Sequence, residues 1–111
     1  MAFSVNSNVN NGIAQVTLIG ELDASSAPQF KGAIESVAAA KPRRLVLMLS
    51  GLDYMSSAGL RVLIFAKQKL GASTGIFTVG AQASIVDTLE MTGFQDSVVM
   101  LPDYDAAQIE A

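Results

Sequence analysis

The chain has 111 residues, half of them hydrophobic and 15% charged, with a formal net charge of −3. That length suits one domain with a real core, and the composition is that of a folded chain rather than a disordered one. With no cysteine and no histidine, disulfides, thiol chemistry, zinc sites of the usual ligand types and imidazole acid–base catalysis are excluded.

Lys41, Arg43 and Arg44 form the one basic cluster, too small for counterion release to drive nucleic-acid binding. A protein partner is therefore expected rather than DNA or RNA. Charges and glycines interrupt the apolar runs short of a membrane span, and no basic segment precedes an apolar stretch at the N-terminus. A cytoplasmic location, with no membrane attachment, is the expectation.

In chain order, alternating "FSVNSNVN", then Asn10-Asn11-Gly12, then "IAQVTLIG" read as two antiparallel strands joined by a tight turn, the first an edge strand. After "GELDAS", Ser26 stands three residues before Gln29 in a capping-box pattern, with Pro28 in the first turn. A helix is expected from about Ala27 to Ala39, with Phe30, Ile34, Val37 and Ala38 on its core face.

"RRLVLMLS" is apolar on both alternating faces, as suits a central parallel strand, and is expected to end at Ser50-Gly51, with a loop through Tyr54. A second helix starts at Ser57, places Leu60, Leu63, Ile64 and Leu70 at core spacing, and stops at Gly71 after Lys67 and Lys69. "TGIFTVG" reads as a short buried strand and "QASIVDTLEMTG" as a third helix. If Gly93 closes that helix in a left-handed conformation, Phe94 packs back on Leu89. "SVVML" is the last strand, and Asp103 to Ala111 is expected to hold a short terminal helix.

The pattern predicts a single α/β domain over residues 1–111, without repeats, low-complexity segments or linkers. Its sheet would have about five strands, mixed but mostly parallel after the opening antiparallel hairpin, with helices packed against it. Such sheets place functional sites beyond the carboxyl ends of their strands. "YMSSAGL", residues 54–60, lies at such a position.

A serine at a helix start has an ordinary role, accepting a bond from an unpaired first-turn N–H. Here Ser56 and Ser57 are adjacent, one more than a cap requires. The same N–H groups and the helix dipole also favour an anion, worth about 0.3–1 kcal/mol for an exposed phosphate. A phosphoserine carries about −1.5 to −2 charges. Facing a partner carboxylate about 5 Å away at an effective dielectric of about 20, it would cost roughly 3 kcal/mol per charge pair, on the order of a hundredfold in affinity.

Serine nucleophilic catalysis needs a general base held by an orienting group, and "SSAGL" is not a nucleophile elbow, so no enzymatic activity is expected. Asp23 and Asp53 follow strands, either as turn residues or as a metal pair, with turn residues favoured. "GASTGIFTVG" lacks the lysine and spacing of a phosphate-binding loop.

"GELDASSAPQF", "LVLMLSGLDYMSSAGLRVL" and "VDTLEMTGF" together resemble the anti-sigma-factor antagonists, built on the STAS domain. The resemblance runs through nearly the whole chain and is most specific in the middle block. It implies a switch protein that binds an anti-sigma factor with serine kinase activity, and so frees a sigma factor. It further implies that phosphorylation of one serine abolishes binding and that a PP2C-type phosphatase restores it. The chain would be the kinase's substrate and hold no cofactor of its own; ATP belongs to the kinase.

Carried over by position, the phosphoacceptor falls on Ser57, with Ser56 the second candidate. The aspartate and hydroxyl residue that commonly flank this serine are replaced by Ser56 and Ala58, and the aspartate often found inside the third strand by Met48. The family's docking face would comprise Asp23, Ala24, Met55, Ser57, Gly59 and Arg61. Two other readings stay open from sequence: a non-switching STAS adaptor in a transport or signalling complex, and a receiver-like domain phosphorylated on Asp53. The receiver lacks its acidic pair after the first strand.

Overall fold

In the computed structural model, which describes residues 2–111, one sheet is built from β1 (Ser4–Asn10), β2 (Ile13–Leu22), β3 (Arg44–Met55), β4 (Gly75–Val79) and β5 (Val99–Leu101). The strands lie in sequence order. β1 and β2 are antiparallel, and β2 through β5 are parallel. The helices are α1 (Ala27–Ala38), α2 (Ser57–Leu70), α3 (Ala83–Met91) and α4 (Ala106–Ile109). This is the mixed α/β domain that the alternation of apolar patterns predicts.

Asn11 and Gly12 both take positive φ, 55° and 78°, the requirement of a two-residue hairpin turn whose twist matches its strands. On one face of the sheet Leu18, Leu22, Leu45, Leu47 and Leu49 pack with Phe30 and Ile34 of α1, Leu63 of α2 and Leu89 of α3. On the other face Val46, Phe77 and Val79 are sealed by Ile109 of α4. Gly93 is left-handed at φ 75°, and Phe94 is buried in the same cluster as Leu89.

Four expectations are corrected. β3 does not end at Ser50-Gly51: it runs to Met55, paired with β2 as far as Leu22, across two register shifts in that pairing. Gly51 permits this, because a Cβ there would stand 3.2 Å from Ile19 Cγ1. Ser26 precedes α1 but makes no side-chain cap bond; its hydroxyl is drawn into the preceding loop instead. Ile64 is 42% exposed rather than in the core, because Val62, Leu63 and Ala66 fill the buried stripe of α2. The last strand is also shorter than "SVVML", since Phe94–Ser97 forms a 3-10 turn first.

Candidate functional site

The sequence-predicted site lies where β2 and β3 end. Leu22 pairs with Met55 in the last register position of these strands. One residue on, the Ser56 N–H donates to Leu22 O at 2.8 Å. This bond fixes the start of α2 against the loop that leaves β2, so "ELDAS" and "MSSAGL" share one end of the sheet although residues 26–54 separate them.

The two serines divide the roles that the sequence left open between them. Ser56 is the N-cap, with extended backbone, and its Oγ accepts from Gly59 N at 3.4 Å. Ser57 is the first helical residue and is exposed. Its hydroxyl has no capping task. The first turn carries no acidic residue, so no carboxylate of the helix itself offsets the positive end of its dipole.

The neighbouring loop is organised by Asp23. Its Oδ1 accepts from Ser25 N at 3.0 Å, Ser25 Oγ at 2.7 Å, Ser26 N at 3.1 Å and Ser26 Oγ at 3.1 Å. These bonds, led by the one from the Ser25 hydroxyl and followed by that from the Ser26 N–H, hold its carboxyl below the usual carboxylate range. Ser26 Oγ also accepts from Asp23 N at 2.9 Å, and its single proton is shared between Asp23 Oδ1 and Glu21 O, the latter at 3.0 Å. The loop is thus closed on itself, with Ala24 and Ser25 exposed at its tip.

Of the expected docking residues, Ala24, Ser57 and Arg61 are exposed and Asp23 is half-buried. Met55 and Gly59 are buried, so the expectation of a direct surface contact does not hold for the Met55 side chain. Both support the surface from beneath: a Cβ on Gly59 would fall 2.7 Å from Leu22 Cδ2 and 3.1 Å from Met55 Cγ. The absent side chain lets α2 lie against the end of β2.

Ile64 is a surface residue that no sequence signal marks. Ser57, Arg61, Ile64 and Gln68 are all exposed, and their spacing places them along one outward stripe of α2. An apolar pattern alone could not separate Ile64 from its core neighbour Leu63. Tyr54, for which the sequence signals only a loop, is 51% exposed at the end of β3.

Asp53, the other carboxylate considered from sequence, lies in β3 and not in a turn. Its Oδ1 accepts from Gln82 Nε2 at 3.2 Å, and the same amide donates to Ser50 O at 3.1 Å, tying β3 to the start of α3. Among the described residues no group of three or more acidic side chains is placed to hold a metal ion, and no helix is long and apolar enough to cross a membrane.

A STAS domain family model matches residues 4–107. The anti-sigma-F factor antagonist RsfB of Mycobacterium tuberculosis is 36% identical over 76 residues, spanning 68% of this chain and 62% of that protein. The crystal structure of an anti-sigma factor antagonist from Mycobacterium paratuberculosis superposes with a TM-score of 0.86 at 29% identity, covering 96% of this chain and 92% of that one. The Bacillus cell fate determinant SpoIIAA in its phosphorylated form shares the fold, with a TM-score of 0.67 at 18% identity over 96% of this chain and 95% of that one. With the family pattern spanning the sheet, the Asp23 loop and the serine-bearing helix alike, the chain belongs to the STAS domain family.

Proposed function

We propose that this protein is an anti-sigma-factor antagonist: it binds an anti-sigma factor with serine kinase activity, and phosphorylation of Ser57 ends that binding. The observation that carries the reading is the division of labour at the α2 entrance, where Ser56 caps the helix and leaves the exposed Ser57 hydroxyl uncommitted. The names of its relatives supply the partner class. Asp23, Ala24, Ser57 and Arg61 form the contact surface, with Ile64 extending it along α2, and Met55 and Gly59 back it from the core. A PP2C-type phosphatase removes the phosphate. Catalysis belongs to the kinase and phosphatase, and this chain works as a binding module in the cytoplasm.

A phosphate at Ser57 leaves the fold intact, because it sits at the favourable end of the helix dipole. It changes the docking surface by charge and bulk. The test is phosphorylation by the cognate kinase with ATP: Ser57→Ala abolishes incorporation while Ser56→Ala retains it. Ser57→Asp, carrying part of the phosphate's charge, weakens partner binding by about ten- to a hundredfold. Normal incorporation into Ser57→Ala sinks the assignment.

A further inference from the structure

We infer that the chain associates with a second copy of itself through its first strand, β1 pairing antiparallel with β1 across a two-fold axis at Ser7. β1 is one edge of the sheet, and its seven residues are nearly all exposed. The opposite edge, β5, has only three residues. Edge strands are ordinarily guarded by charges, prolines, bulges or shortness, because their free N–H and C=O groups invite another strand. Ser4–Asn10 contains no charge and no proline, and its pairing with β2 is continuous, without a bulge.

The sequence of the strand says which partner fits. Residues 5–9 read Val-Asn-Ser-Asn-Val, the same in both directions. Antiparallel pairing of a strand with its own copy reverses one sequence against the other. With the axis at Ser7, Ser7 faces itself, Asn6 faces the second copy's Asn8, and Val5 faces its Val9.

The register with β2 places these pairs on consistent faces. Val5 lies opposite Leu18 and Val9 opposite Ala14, on the helix-covered face; Asn6 lies opposite Thr17 and Asn8 opposite Gln15, on the other. Apolar side chains therefore meet apolar ones, and amides meet amides. Val5 already packs against the core, whereas Val9 is 40% exposed, and Val5 of the second copy would cover it. The side chains of Asn6 and Asn8 make no hydrogen bond among the described residues, so each amide is free to bond across the axis. No pair brings like charges together, the usual obstacle to self-pairing.

The result is an isologous dimer in which two five-stranded sheets become one. A single strand per side buries less than the standard interface, so the association is reversible, with a Kd of about 10 μM to 1 mM.

Sedimentation equilibrium of the full chain over rising concentration tests this, with two double variants at exposed positions and circular dichroism as a check on folding. Wild type is expected to shift reversibly from monomer to dimer. Asn6→Lys with Asn8→Lys sets lysine against lysine twice across the axis and weakens dimerisation at least about tenfold. Asn6→Lys with Asn8→Glu sets lysine against glutamate twice and keeps the dimer. The proposal is overturned if wild type stays monomeric throughout, if the double-lysine variant dimerises as well as wild type, or if the lysine–glutamate variant is as weak as the double-lysine one. A β1 edge reserved for a foreign strand gives the first of these results.

Discussion

At the scale of single residues, the loop after β2 turns on one carboxylate. The pattern Ser26-x-x-Gln29 signals a capping box, but Asp23 lies three residues before Ser26 and competes for its hydroxyl. Asp23 wins because its Oδ1 collects four donors within one short loop. Its carboxyl ionises below the ordinary range, chiefly through the Ser25 hydroxyl. Because the folded value is depressed, the loop's contribution to stability is fully present above the unfolded value of about 3.9 and is lost as pH falls through the folded value. A titration of the Asp23 carboxyl carbon by NMR should show a midpoint below about 3.9, and Ser25→Ala should move it upward. An unchanged midpoint in Ser25→Ala would show that the Ser26 N–H, and not the Ser25 hydroxyl, governs the charge.

At the scale of elements, the entrance of α2 makes the two adjacent serines energetically distinct. Ser56→Ala removes a cap bond and should cost about 0.5–1 kcal/mol, the lower part of the usual range, because the bond to Gly59 N is long at 3.4 Å. Ser57→Ala, exposed and outside the cap, should change stability by less than about 0.5 kcal/mol. Urea midpoints for the two variants check this, and a larger loss in Ser57→Ala would reverse the roles. The element order, the hairpin turn and the stop signals at Gly71 and Gly93 were legible in the sequence, since each depends on local chemistry: apolar period, positive φ, and the residues that tolerate it. The length of β3 was not, because Ser50-Gly51 carries a turn signal that pairing with β2 overrides. Ile64 was misplaced for a similar reason, a helix stripe being wider in sequence than the groove that receives it. The candidate site was legible as a motif, yet which serine caps and which is free depended on backbone conformation at one residue.

At the scale of the whole molecule, the sheet has two unlike faces. Three helices cover one. On the other, Val46, Phe77 and Val79 depend on Ile109, a fully buried residue of a four-residue helix. So short a helix has no stability of its own in water. It persists here because Ile109 is buried, because Asp105 caps it by accepting from Ala107 N and Gln108 N, and because Arg43 binds the carbonyls beyond it, Nη1 to Ala111 O at 2.7 Å and Nη2 to Glu110 O at 3.2 Å. The basic cluster that the sequence offered as too small for nucleic acid thus has an internal task. Ile109→Ala should lower unfolding free energy by about 2–4 kcal/mol, as for other buried isoleucines, and leave Val46, Phe77 and Val79 open to water. Urea denaturation measures the total, and hydrogen exchange locates it: the amides of α4 should lose protection first, because helix and apolar contact stand or fall together. A shift in the global midpoint with α4 amides still protected would mean that the cap and the arginines hold this segment without its buried side chain.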